Sequence, residues 1–237
     1  MIDWKALALA AARANAAYIE DRNAAQAAFS ALGDTFIDQY KNGTHQAVLS
    51  FATQDRLQLS ISGTRSLSSS ARDLFDDIDL TPVSLGGGQV AKGALEGCSE
   101  MYAWALRKAP EGIRIDIQGH SLGAARTHLA AYFVSGLQRG NLYSFESPKF
   151  MDAIYYLANA DQLADMVCTL NGRDPWAAWP WGVALSGHEY ARPNLPHIWL
   201  NAGASIIDPA QWEGGDIFDS HDHDMAPIAA KLALLAA

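Results

Sequence analysis

Residues 113–125 read IRIDIQGHSLGAA, and their reading decides the architecture of this 237-residue chain. IRIDIQ has the composition of a strand ending at Gly119. Gly119, His120, Ser121, Leu122 and Gly123 then match G-x-S-x-G, and the pattern turns helical through ARTHLAAYFVSGL, closing near Gly140. Strand, sharp turn and helix together form a setting that lifts a serine hydroxyl above the end of a sheet. The turn is too tight for a side chain on either side of the serine, so glycine flanks it. Ala124 and Ala125 let the helix pack closely behind. The helix start leaves backbone N–H groups without intrahelical partners beside Ser121, where negative charge develops if the serine attacks a carbonyl. Ser121 is therefore the candidate nucleophile.

Working outward, the segment before this core reads as helical to about Tyr40, with Phe29, Leu32, Phe36 and Tyr40 at three- and four-residue steps. QAVLSF and LQLSI read as two strands joined by a polar turn at Gln54–Asp55. The Ser-rich RSLSSSARD leads into a short helix. Gly86, Gly87 and Gly88 mark a loop before an amphipathic helix from about Gln89 to Lys108. Beyond the serine, NLYSFE is a strand, AIYYLANA a helix and DMVCTLN a strand. This alternation predicts an α/β protein with a mostly parallel central sheet flanked by helices on both faces. From Gly172 to Asp224 the texture changes to Pro, Trp, Gly and His, and loops of that length are usually functional. No repeat or linker divides the chain, so residues 1–237 are expected to form a single domain.

Composition narrows the partners. The chain is 49% hydrophobic and 18% charged, too apolar for a disordered segment. A formal net charge of -9 argues against nucleic acid or an anionic membrane as the main partner. Cys98 and Cys168 are too few for a disulfide framework and lack metal-ligand spacing, so both are expected to be buried thiols. Asp3 spoils a basic leader and Arg13 ends the apolar run from Ala6 to Ala12 early, so no secretion signal is expected in the chain as given. That leaves a cytoplasmic location or release without a signal peptide. No stretch has the length of a transmembrane helix.

A nucleophilic serine needs a base and a group to orient it, and in this kind of fold they follow in the order Ser, acid, His. Asp174 stands just past the DMVCTLN strand, whereas Asp161 and Asp165 precede that strand at the wrong end of the sheet. Four histidines follow Asp174. His188 and His197 flank a stretch that reads as a hairpin around Pro193 and Pro196, which suits structural roles. His221 and His223 lie in SHDHDM, immediately before the last helix. Asp224 is a plausible N-cap of that helix and Pro227 falls in its first turn, which sets the direction of His223 and leaves His221 further out. A metal site is the rival reading, because His221, Asp222, His223 and Asp224 offer ligands on short spacing. A catalytic serine accounts for the histidine without a metal, and no cofactor is expected.

With these motifs in place, the chain resembles the class 3, fungal-type lipases of the α/β-hydrolase superfamily. The likeness runs from about Tyr18 to the final helix. GHSLGAA is typical of the family, and SISGTRSLSSSARDLFDDI resembles its strand, Gly-Thr and acidic helix. YSFESPK, TLNGRDPWAAWP and HDM resemble three further family segments in the right order. The resemblance implies an α/β-hydrolase fold, a nucleophile at Ser121, an acid at Asp174 and a histidine at His223. It also implies an oxyanion hole from Thr64 and the backbone N–H of Leu122. Two departures stand out: Glu146 occupies a position where glycine is usual, and Lys92 one where histidine is expected.

The implied reaction is carboxylic-ester hydrolysis by a lipase or esterase, through a covalent acyl-enzyme with a Ser-His-Asp triad. The alternatives are a phospholipase or acyltransferase on the same triad, or a hydrolase-like binding module without turnover. The expected partner is a small ester or lipid, with transient contact to a lipid surface. Trp176, Trp179 and Trp181 either line an apolar acyl cleft or anchor the loop after Asp174. The polar, Ser-rich segment after Gly63 leans towards small or soluble esters.

Overall fold

The computed structural model describes residues 2–43, 45–53, 55–64, 78–183, 187–215 and 221–237. The Ser-rich RSLSSSARD and the start of the short helix expected after it fall in residues 65–77, outside the described residues. Helix α1 (Trp4–Ala16) and helix α2 (Arg22–Ala31) open the chain, each capped by an aspartate side chain, Asp3 and Asp21. An eight-stranded sheet follows in the order β1 (Thr35–Asn42), β2 (His45–Thr53), β3 (Arg56–Ile61), β6 (Arg114–His120), β7 (Arg139–Phe145), β8 (Val167–Asn171), β9 (His197–Leu200) and β10 (Ala204–Ile207). Strands β3, β6, β7, β8 and β9 pair in parallel, and antiparallel pairs close both edges. The mostly parallel sheet is as the alternation predicts.

Both faces are covered. On one, Leu57, Leu59, Ile61, Ile115 and Ile117 pack against α4 (Cys98–Lys108) and α5 (Leu122–His128). On the other, Tyr143 and Phe145 meet α1 and the last helix, α9 (Met225–Leu235). The alanines Ala10, Ala11 and Ala14 are buried there and let α1 lie close. Full burial of a leucine such as Leu59 contributes about 2 kcal/mol. A buried ion pair ties the last turn of α1 to the residue before β1: Arg13 Nε and Nη2 donate to Asp34 at 2.8 and 2.7 Å, and Ser50 Oγ donates to the same carboxylate. Asp34 has left bulk water, and these three donors replace it.

Four expectations need correction. Helical structure does not continue to Tyr40: Gly33 takes φ +85°, which ends α2, and Thr35–Asn42 extends as β1. Phe36 and Tyr40 satisfy a strand period as well as a helical one, so their spacing misleads. The long helix from Gln89 is instead a hairpin of β4 (Pro82–Leu85) and β5 (Gly88–Ala91), then α3 (Lys92–Leu95), then α4. Gly97, at φ +70°, separates the two helices. The helix after Ser121 does not reach Gly140; α5 and α6 (Ala130–Phe133) end earlier, and β7 begins at Arg139. The hairpin placed around Pro193 and Pro196 is formed by β9 and β10, downstream of both prolines. Elsewhere, α7 (Ala153–Ala158) and α8 (Ala160–Leu163) take the place of one helix, and Cys98 and Cys168 are buried free thiols as expected. No helix of the described residues is long and apolar enough to cross a membrane.

Candidate active site

The carboxyl ends of the parallel strands converge on one place, the usual location for ligands in open α/β sheets. β6 delivers Ser121, which takes φ 57° and ψ -126°, a strained conformation for a residue with a Cβ. Its backbone N–H donates to the Phe145 carbonyl at 3.0 Å, locking the turn to β7. The flanking glycines are steric requirements: a Cβ at Gly119 would run into the Gly123 carbonyl, and one at Gly123 into the Ile61 carbonyl. Leu122 is the first residue of α5, so its N–H has no intrahelical acceptor.

β8 delivers Asp174, which is completely buried. His223, from the turn before α9, reaches both partners. Its Nδ1 lies 2.6 Å from Asp174 Oδ2 and its Nε2 lies 2.8 Å from Ser121 Oγ. A carboxylate only accepts, so Nδ1–H donates to Asp174 and Nε2 is left to accept the serine proton. Asp174 Oδ1 accepts the Trp176 N–H at 2.9 Å. Burial by itself would raise Asp174. The charge of His223, and then hydrogen bonds from His223 and the Trp176 N–H, outweigh it and hold the carboxyl below its ordinary range.

The histidine turn is fastened from β8. Asn171 Nδ2 donates to the Asp222 carbonyl at 2.7 Å, and the Arg173 N–H donates to Asp222 Oδ2 at 3.0 Å. Asp222 therefore faces the strand end and His223 faces Ser121, while the His221 side chain is 74% exposed and 3.7 Å from Asp222. The 221–224 run does not gather its donors into a metal site. Asp224 caps α9 by position, without a side-chain hydrogen bond. Among the described residues, three ligand-type atoms do come within 4.8 Å of one another at Glu146, Asp174 and His223.

Two residues of this neighbourhood were not singled out by the sequence reading. The Gly63 N–H donates to Tyr18 Oη at 2.8 Å, Tyr18 lies 2.6 Å from His120 Nδ1, and His120 Nε2 lies 2.6 Å from the His223 carbonyl. A carbonyl only accepts, so Nε2 carries the hydrogen and Nδ1 accepts from the Tyr18 O–H. Burial pushes His120 down to about 3, helped by the neighbouring His223, so its ring stays neutral. This chain of three bonds ties the Gly63–Thr64 loop to the histidine turn across the serine. His120 is the unspecified position of G-x-S-x-G, and Tyr18 follows an Ala-rich helix, so neither carries a motif of its own.

Thr64 lies beside Ser121 in a cleft of about 370 Å³ that Asn15, Tyr18, Met225 and Pro227 also line. Its buried Oγ1 has no hydrogen-bond partner among the described residues. Trp176 and Trp179 are buried in the main core, and Trp181 is half exposed with its indole N–H on the Pro175 carbonyl at 3.0 Å. They anchor the loop after Asp174 and do not line this cleft. His197 is buried and its Nδ1–H donates to the Leu195 carbonyl at 2.8 Å, and His188 lies 3.5 Å from Asp152. Neither approaches Ser121 by any contact of this site. Lys92 pairs with Asp79 at 2.7 Å, away from the serine turn.

The fold and the serine turn define an α/β-hydrolase. Residues 53–182 match the profile of the lipase (class 3) family, more than half of the chain, and the protein belongs to that family of carboxylic-ester hydrolases. Its structure is similar to that of the Rhizomucor miehei lipase in its propeptide complex, at 19% identity and a TM-score of 0.64, covering 91% of this chain and 77% of that one. Lipase II from Rhizopus niveus matches at 17% identity and a TM-score of 0.69, covering 93% and 92%. The lipase from Rhizopus microsporus var. chinensis matches at 16% identity and a TM-score of 0.66, covering 86% and 76%. Among curated proteins, none matches the chain by sequence.

Proposed function

We propose that the protein hydrolyses carboxylic esters through a covalent acyl-enzyme on Ser121. The observation that carries this reading is the continuous line of hydrogen bonds from Asp174 through His223 to Ser121, at 2.6 and 2.8 Å. Ser121 Oγ attacks the ester carbonyl as His223 Nε2 takes its proton. Asp174 orients the imidazole and stabilises its charged form. The Thr64 and Leu122 N–H groups donate to the oxyanion, and the alcohol leaves with the proton from His223. Water, deprotonated by the same nitrogen, then releases the acid and restores the serine.

The cleft beside Ser121 mixes polar and apolar walls, which supports short or soluble esters as substrates. In a series of p-nitrophenyl esters of rising chain length, kcat/KM is expected to peak among the short acyl chains. A fluorophosphonate probe is expected to label Ser121 alone. Labelling elsewhere, or no hydrolysis of any member of the series, would sink the reading.

A second prediction separates this mechanism from a metal-dependent one. The serine, histidine and aspartate supply nucleophile, base and orienter, so prolonged chelation is expected to leave turnover within about twofold. A large loss restored by zinc or calcium would return the Glu146, Asp174 and His223 donors to the metal reading.

A further inference from the structure

Glu146 is the acid that the proposed mechanism does not use. It follows β7 at φ +53°, in the left-handed region where glycine is at ease and a side chain is strained. Its backbone is held by a 3.0 Å hydrogen bond from its N–H to the Thr169 carbonyl. The side chain is completely buried, and one of its oxygens lies within 4.8 Å of the Asp174 and His223 donor atoms. Neither carboxyl oxygen has a well-formed hydrogen bond from a donor of the described residues. Asp174, against which it rests, has two, from His223 and the Trp176 N–H.

Two ionised carboxylates in contact without water repel strongly, and such a pair keeps one proton between them. The proton belongs on the partner with fewer donors. We infer that Glu146 is a positioning residue of this site, whose protonated carboxyl donates its O–H to the Asp174 carboxylate and holds Asp174 ionised and facing His223. The inference rests on the reading of Asp174 as the orienting acid.

The surrounding charges agree. From the loop after β8 comes the Asp174 carboxylate, from the turn before α9 His223 behind it, and from the segment before β9 the Arg192 guanidinium. Arg192 donates to the Ala177 carbonyl and lies 4.6 Å over the Trp212 ring, and it forms no ion pair with Glu146. Burial first, and then the charge of Asp174, push Glu146 well above the ordinary glutamate range. The Asn171 N–H and the Arg192 charge oppose this without cancelling it.

Three variants and three readouts test this. Glu146→Leu removes the donor at similar bulk and is expected to lower kcat about tenfold with little change in KM. Glu146→Gln restores a neutral donor and is expected to recover most of that loss, leaving the acid limb of the kcat/KM profile where the parent has it. If Glu146 were ionised, Glu146→Gln would remove a negative charge beside His223 and move that limb down by about one pH unit. That outcome would overturn the inference, as would equal loss in the Gln and Leu variants.

The second readout needs no turnover. In the Ser121→Ala protein, an infrared C=O band of a protonated carboxyl is expected at neutral pH and is lost when Glu146→Gln is added. A spectrum unchanged by that substitution overturns the inference and leaves the esterase reading standing. Thermal melting checks the sign. A raised acid favours the fold below the ordinary glutamate value of 4.5 and loses that contribution as pH rises towards the folded value. The Tm advantage of Glu146→Gln over the parent is therefore expected to grow from pH 4.5 through neutrality, and a constant difference would count against a held proton.

Discussion

Ser121→Ala is expected to lower ester hydrolysis by roughly four to six orders of magnitude while the protein stays folded. On the proposed mechanism the substitution removes Oγ, the atom that forms the covalent ester, and among the described residues neither nearby hydroxyl is placed to replace it: Thr64 Oγ1 has no hydrogen bond to a base. Tyr18 is engaged by Gly63 and His120, and burial raises its ionisation far above neutrality, with the nearby Asp224 adding to this. On the proposed mechanism the residual rate would come from the oxyanion donors and bound water. Stability should change little, because Ala keeps the Cβ that the elbow already accommodates at φ 57° and loses one hydrogen bond to His223. Active-site labelling should disappear with the rate, and melting should stay within a few degrees. Retention of more than a few per cent of parental activity would remove Ser121 from its assigned role.

How far the fold was legible depends on where local and tertiary signals agree. Leu57, Leu59 and Ile61 alternate and are buried on one face, and residues 113–125 carry strand, turn and helix in a fixed order. There, periodicity and sterics point the same way. They diverge at Phe36 and Tyr40, whose four-residue spacing fits two periods; Gly33 and Asp34 settle the matter, through a left-handed cap and a buried pair with Arg13. Gly97 similarly divides a segment whose apolar spacing looks continuous.

The site follows the same division. Ser121 and Asp174 sit at the ends of strands that sequence places well, so their position at one rim of the sheet follows from topology. Tyr18 and His120 meet across 102 residues, and only the packing of α1 against the sheet puts them in contact. Glu146 is visible in sequence as an acid in a glycine position. That it rests on Asp174 becomes visible only when β7 and β8 lie side by side.

His223→Ala and His221→Ala are expected to separate by several orders of magnitude, although two residues divide them. In an extended segment both rings would point to one side, so sequence alone leaves the choice to register with α9. The structure has a turn at 221–223, and Asn171 and the Arg173 N–H hold Asp222 between the two histidines towards β8. That anchoring aims His223 at Ser121 and Asp174 and leaves His221 in solvent. On the proposed mechanism, losing His223 removes the proton acceptor of the serine and leaves the buried Asp174 without its side-chain partner, so kcat should fall by about four to six orders of magnitude. Its stability is also expected to drop by about 1–3 kcal/mol, because Asp174 becomes an under-satisfied buried carboxylate. His221→Ala removes an exposed ring 3.7 Å from Asp222 and should change kcat by less than about twofold. Steady-state kinetics of the two variants on one short ester, with melting curves for both, decide the assignment. A dead His221→Ala enzyme beside an active His223→Ala enzyme would move the base to His221 and require the turn before α9 to re-register by two residues.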